Sequence, residues 1–339
     1  MRKLKLVFPL AISGILLSLV FWQIDQKNLY AAISNVPLSP IIISLVLVFS
    51  SVYLKMQRWK SLVRILKNDV RSVNILSCNC IGALSDNLLM TTSGELIRAF
   101  LLGRKENIRS SSLLGTVIIE RQLDILLVLL ITSSALFFFG TNDSRVILVV
   151  SFGVFLLAAV FIGMILMTRY TEFFVSLANR WGPRKYITQI EGSVRFFAHG
   201  LIVVKNIRQM IQPVALTLLM WVCITSAVVP VLYAFEFGTQ VSVAVIFTIL
   251  LFLTVGLSLP SAPAGIGVFE YACYLALIIH LPDSLLESPA TLAEIGVFSV
   301  LLHLTFSMPE VILGCFFLGR QRLRISGLFR LSRKIRSDI

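Results

Sequence analysis

Charge is scarce in this sequence. Asp, Glu, Lys and Arg make up 14% of its 339 residues, hydrophobic residues make up 57%, and the mean hydropathy is +0.90. A soluble domain of this length needs more polar surface, so the expected class is an all-α polytopic transmembrane helical bundle. Histidine is rarer still: His199, His280 and His303 are scattered and no HExxH occurs. The five cysteines form no CxxC pair and fall mostly in apolar runs, where buried thiols are expected. Without metal-ligand spacing, a GxSxG nucleophile elbow or a Walker motif, the sequence predicts no cofactor, no metal and no ATP site. The formal charge of +13 comes without any nucleic-acid-reading motif, and no nucleic acid partner is expected.

What is present is a series of long apolar runs. Leu6 to Trp22, Pro40 to Leu54, Leu113 to Phe139, Val146 to Met167, Val214 to Phe235 and Thr291 to Leu318 approach the ~20 residues that a spanning helix requires. The first resembles a signal peptide without an evident cleavage site and reads as a retained span. Two further regions, 73–103 and 241–280, are apolar but interrupted, either as re-entrant hairpins or as pairs of spans. The expected bundle thus has about six full spans and two interrupted hairpins.

Basic residues sort the loops. Residues 55–71 hold six against Asp69, 98–109 hold four against Glu106, 169–208 hold seven against Glu172 and Glu191, and the tail from 319 holds seven against Asp338. The other loops are neutral or acidic, so the positive-inside rule places both termini in the cytoplasm of a cell inner membrane protein. The interrupted regions then enter from opposite faces, as in an inverted repeat, with a transporter site expected near the midplane. As a single membrane domain over 1–339, the chain divides into a first half of about 1–168, a connector of about 169–209, a second half of about 210–318 and a basic tail, 319–339. Within the connector, apolar residues recur at steps of three and four over 183–208, beginning at Pro183. This pattern predicts either a surface helix at anionic headgroups or an ordinary packed helix.

The second interrupted region contains SLPSAPAGIGVFEYACY from Ser258 to Tyr274. Pro260 and Pro263 lack an amide donor, and Gly265 and Gly267 hold a helix poorly, so the chain is expected to break here. Unpaired backbone in hydrocarbon costs several kcal/mol, so such a break implies cover by protein or a watery cavity. Glu270 follows on the next turn. In the first region Gly94 precedes Glu95 and Arg98, spaced i, i+3, while Glu120, Arg121 and Asp124 open the next span. There Arg121 can reach Asp124, leaving one carboxylate for a partner elsewhere. The pairs either neutralise themselves for insertion or form a polar cluster where the hairpins meet. In the cluster, Arg98 or Arg121 would take a lipid phosphate with help from helix N-termini near Gly94 and Gly267.

TTSGELIRAFLLGRK, ERQLDILLVLL and SLPSAPAGIGVFEYACYLAL, in this order, resemble the lysylphosphatidylglycerol synthase transmembrane region, a flippase-like integral membrane protein family. The resemblance covers about Pro40 to Leu318. It implies paired re-entrant helices and transfer of a phospholipid or glycolipid with an anionic or zwitterionic headgroup between leaflets. It marks Gly94, Glu95, Arg98, Glu120, Arg121, Asp124, Pro263, Gly265, Gly267 and Glu270. Ser93 stands where the family usually has proline, Ala264 with Gly265 where it has two glycines, and His303 where arginine is common. The soluble aminoacyl transferase domain of some relatives is absent, so lipid aminoacylation by this chain is not expected. Two alternatives accompany the lipid flippase or transporter. One is a non-transporting membrane partner of a glycosyltransferase or surface-polysaccharide pathway. The other is a lipid-modifying membrane enzyme using the carboxylates as acid or base.

Overall fold

The computed structural model describes residues 4–22, 24–88, 94–139, 169–181, 207–257 and 262–322, with isolated positions between 148 and 195 and at 327–328. The break at Pro260, Ser93, most of the run from Val146 to Met167, most of 183–208 and the greater part of the basic tail lie outside the described residues. Among the described residues there are twelve α-helices and no strand. In chain order they are α1 (Leu4–Phe21), α2 (Gln26–Ser34), α3 (Leu38–Val63), α4 (Ser72–Leu88), α5 (Gly94–Glu106) and α6 (Ser110–Phe139). There follow α7 (Thr171–Trp181), α8 (Ile207–Leu232), α9 (Ala244–Gly256), α10 (Val268–His280), α11 (Asp283–Leu286) and α12 (Pro289–Arg320).

These helices are apolar on the outside. On α3 the exposed positions Leu38, Ile42, Val46, Phe49 and Tyr53 form one stripe, whereas Ser44, Ser51, Arg58 and Ser61 turn inward. On α12 Leu304, Met308, Ile312 and Phe316 repeat the pattern at a step of four. Such surfaces would be unfavourable in water and suit hydrocarbon, where the inner face closes by small residues and polar contacts. The Ser44 hydroxyl on α3 donates to the Ala227 carbonyl of α8 at 2.5 Å, for example. Among the described residues, four stretches are long and apolar enough to cross a membrane: Leu38–Val63, Arg208–Leu232, Pro263–His280 and Pro289–Arg320. Three coincide with runs expected to span, and the fourth is the second arm of the second interrupted region. α1 and α6 are helices of 18 and 30 residues over two other expected runs.

Each interrupted region is a helical hairpin. The arms α5, α9 and α10 have 13 residues each. At 1.5 Å per residue each of these arms reaches about 20 Å, while α4 has 17 residues and the arm containing α10 extends through the turn before it to the 18-residue stretch Pro263–His280. α4 packs on α5 and α9 on α10. The packing partners of the two halves also match: α3 lies along α8, α5 on α6 as α10 on α12, and α4 on α12 as α9 on α6. Exchanging the halves leaves this set of pairs unchanged, as an inverted repeat requires. The hairpins meet, because the turn Pro263–Gly265 rests on α4.

The apolar core follows this layout. Its largest part joins α8, α9, α10 and α12 around Phe235, Phe237 and Phe298, and a second part joins α4 and α5 to α12 through Ile81, Leu84, Ile97 and Phe317. A third part sits among α3, α4, α5 and α6 around Trp59, Ile75, Leu102 and Leu113. At the end of α5, Glu106 ties the first hairpin to the α3–α4 loop. Its carboxylate accepts from Asn74 Nδ2 at 2.7 Å and from the Arg71 amide at 3.3 Å, with Lys67 Nζ at 3.4 Å. Burial acts to raise this carboxyl, but the hydrogen bonds and the lysine hold it below the usual carboxylate range.

Candidate functional site: two polar clusters at the hairpins

The helix α3 continues nine residues beyond Leu54, where its apolar run ends, and this extension carries Arg58 and Trp59 inward. Arg58 is 1% exposed and Trp59 is fully buried. Arg58 Nε donates to Glu120 Oε1 at 3.0 Å, Nη1 to Asp124 Oδ1 at 2.5 Å and Nη2 to Asp124 Oδ2 at 3.1 Å. The two carboxylates are four residues apart on one face of α6, so one planar guanidinium serves both. Trp221 Nε1 of α8 also donates to Asp124 Oδ1 at 3.1 Å, and Thr217 Oγ1 lies 3.4 Å from Arg58 Nη1. The site therefore links α3 and α6 of the first half with α8 of the second.

Arg98, on the first hairpin, approaches Glu120 from the other side, with Nη1 2.9 Å from Oε2. The same Nη1 donates to Asn79 Oδ1 at 2.9 Å, and the guanidinium lies over the Trp59 ring 4.8 Å from its centroid. Trp59 Nε1 in turn donates to Thr116 Oγ1 at 3.1 Å. Glu120 Oε2 has its ion pair without hydrogen-bond alignment, while Asn79 Nδ2 and Gln122 Oε1 are buried without a hydrogen-bond partner. Two adjoining charges are more open. Arg121 pairs with Glu95, their side chains being 55% and 25% exposed. Below them the amide of Gly94 donates to Asp86 Oδ1 at 2.7 Å, fixing the start of α5. Across these contacts Arg58, Arg98 and Arg121 face Glu95, Glu120 and Asp124, so the guanidinium and carboxylate charges balance.

The second cluster lies at the other hairpin. Ala264, Gly265 and Gly267 have positive φ of 61°, 76° and 87°, with Ile266 at −51° between them, and this turn leads into α10. A side chain at Gly267 would also overlap the Ser13 carbonyl of α1. The Gly267 amide donates to Glu270 Oε2 at 2.6 Å, the reach-back contact of a capping box. Glu270 Oε1 lies 2.7 Å from His303 Nδ1, and His303 Nε2 lies 3.0 Å from the Ala264 carbonyl oxygen. The Ala262 amide donates to Ser13 Oγ at 3.1 Å.

The predicted site residues thus fall into two groups. Glu95, Arg98, Glu120, Arg121 and Asp124 gather around the first hairpin, and Glu270 gathers with His303 at the second. The pairings expected from helical spacing differ from those formed: Arg121 bonds to Glu95 on the neighbouring helix, Arg98 turns to Glu120, and Asp124 takes Arg58. Each of these charges meets its partner on a neighbouring helix, because α5 and α3 both pack on α6. Gly94 starts α5, where the sequence expects a short helix to begin, and a side chain there would overlap the Gly82 carbonyl and the Asp86 carboxylate. Arg58 was counted with the loop charges and Lys55 with it, but Lys55 Nζ pairs with Glu310 Oε1 of α12 at 2.8 Å. The excess of carboxylates in Glu120, Arg121 and Asp124 was the available sign that another cation had to come from elsewhere.

A membrane-embedded helical bundle with two broken hairpins and an internal ion-pair cluster is the class these features define. The chain belongs to the family described as the lysylphosphatidylglycerol synthase transmembrane region, whose sequence model matches residues 6–320. It is similar to a UPF0104 membrane protein of Methanothermobacter thermautotrophicus, 26% identical over 249 residues that cover 68% of this chain and 72% of that protein. No solved structure matches the chain.

Proposed function

We propose that this protein transfers a phospholipid or glycolipid with an anionic or zwitterionic headgroup between the two leaflets. The observation that carries this reading is the Arg121–Glu95 pair, a half-open guanidinium and a carboxylate beside a cluster whose remaining ion pairs are deeply buried. A charge within a bilayer costs at least about 2.5–3.5 kcal/mol on the insertion scale, so two accessible ones invite a ligand that pairs with both. A headgroup phosphate can replace Glu95 on the Arg121 fork, while an ammonium or sugar hydroxyl of the same headgroup takes Glu95. Arg58 and Arg98 hold Glu120 and Asp124, fix the rotation of α6 and so aim Arg121. The lipid tails stay in hydrocarbon throughout, and fixed partners replace the water that the headgroup sheds. Family membership supports a link to membrane lipids. The loop charges support an inner membrane location with both termini cytoplasmic.

Reconstitution tests the reading. Purified protein in liposomes is expected to accelerate leaflet exchange of at least one labelled lipid, and Arg121→Ala to slow it by about tenfold or more, the weight of a charge-assisted contact. The thermal unfolding of that variant should stay close to the parent's. No acceleration with a broad panel of phospholipids and glycolipids would overturn transport in favour of a glycosyltransferase partner. A change in lipid mass during incubation would point to an enzyme instead.

A further inference from the structure

The tip of the second hairpin is fastened by one imidazole. His303 projects from α12 with its ring stacked on Phe269, centroids 4.3 Å and planes 7° apart, so it cannot turn without losing that contact. Its two nitrogens face two oxygens: Glu270 Oε1 at 2.7 Å and the Ala264 carbonyl at 3.0 Å. The other Glu270 oxygen already accepts the Gly267 amide. A neutral imidazole has one N–H and one lone pair. Beside an ionised Glu270, either neutral tautomer therefore directs a lone pair at an oxygen on one side. One further proton satisfies both sides at once, whether it rests on Nδ1 or on Oε1.

We propose that His303 and Glu270 form a proton-binding site that latches the second hairpin tip, closed with the proton bound and open without it. Loading adds one proton from water at the Nδ1–Oε1 contact and breaks no bond between heavy atoms. Unloading returns that proton to water. The ring then keeps Nε2–H and repels Glu270, or keeps Nδ1–H and releases Ala264. Either loss loosens the turn Pro263–Gly265, which is the piece of the second hairpin that rests on α4 of the first. The closed form binds the extra proton, so the latch holds at low pH and opens as pH rises.

Few other groups face the pair. α10 contributes Cys273, whose thiol feels the Glu270 charge, and α1 contributes the uncharged Ser13 hydroxyl. On α12 itself Glu310 stands about two turns on and is held by Lys55 of α3. Glu294 stands further back and feels Glu236. On α4, which supports the tip, Asp86 is bonded to the Gly94 amide. α2 carries Lys27 and Tyr30, α10 also carries Tyr271 and Tyr274, α11 carries Asp283, and α8 carries Arg208 and Cys223.

The proton site stands on this geometry alone, and only its role in moving lipid rests on the transfer reading. Hydrogen exchange of the full-length protein in lipid nanodiscs tests it directly, with mass spectrometry resolving 262–267 and rates corrected for intrinsic exchange. The amides of Gly265, Ile266 and Gly267 are bonded within the tip to the Ala262 carbonyl, the Pro263 carbonyl and Glu270. Their protection is expected to fall about tenfold as pH rises, as one charge-assisted bond is lost. His303→Arg, which donates from several nitrogens and stays charged, should keep protection high and flat, as should Glu270→Gln, whose amide donates to Nδ1 as the protonated carboxyl does; His303→Ala should leave it low and flat. Protection in α8 serves as the check that each variant is folded. Flat wild-type protection, or pH dependence that survives in His303→Arg, overturns the latch. Leaflet exchange without pH-dependent protection sinks the latch alone. pH-dependent protection in a protein that moves no lipid supports the proton site and removes the transfer reading.

Discussion

Arg58 is the side chain on which most of the first cluster depends. It satisfies Glu120 and Asp124 together, so truncating it leaves two carboxylates facing each other in a closed space. Removing one partner of a buried ion pair costs about 3–5 kcal/mol. Arg58→Ala is expected to lower stability by that order, measured by thermal or denaturant unfolding in detergent. Arg58→Lys should recover only part, since one ammonium cannot reproduce the fork of bonds that Nε, Nη1 and Nη2 donate to Glu120 and Asp124. Little of this was visible in the sequence. Composition ends the apolar run at Leu54, and only packing shows that α3 runs on to Val63 with Arg58 turned inward. The carboxylates themselves were legible, because charges inside an apolar run stand out. Their partners were not, because an interhelical contact leaves no spacing signal along the chain.

At the level of the hairpins, two glycines do different work. Gly267 supplies a left-handed turn, which the proline- and glycine-rich stretch announces in advance. Gly94 supplies room: its backbone lies against Gly82 and Asp86, so α4 and α5 approach closely. Gly94→Ala is expected to cost about 1–3 kcal/mol through overpacking. Gly14→Ala on α1, where an added carbon meets nothing within 4 Å, should be neutral or stabilising by up to about 1 kcal/mol. Paired unfolding measurements on these variants check the contrast. The sequence separated the hairpins from the spans because prolines, glycines and polar residues interrupt their apolar runs. It could not choose between re-entrant arms and full crossings, because the same interruptions suit both.

For the molecule as a whole, the loop charges predict that cysteines placed near Asp283 react with an impermeant reagent from outside intact cells and that those near Arg71 do not. The reverse pattern would invert the orientation. Moving Lys55 and Arg58 from the loop into the bundle leaves Lys60, Arg64, Lys67 and Arg71 against Asp69, so the sign of that loop is unchanged. The matched packing of the two halves was expected from their opposed entry points. The bond from α3 through α6 to α8 was not, and it makes the halves one polar unit.

That bond also bears on biosynthesis. Arg58 leaves the ribosome 62 residues ahead of Glu120 and 66 ahead of Asp124. During that interval the nascent α3 carries an uncompensated cation, and α6, arriving with three charges of its own, is a poor candidate for lone entry into lipid. Each helix lowers the insertion cost of the other. Membrane integration of this protein is therefore expected to proceed by waiting and pairing at the translocon, rather than by releasing one segment at a time.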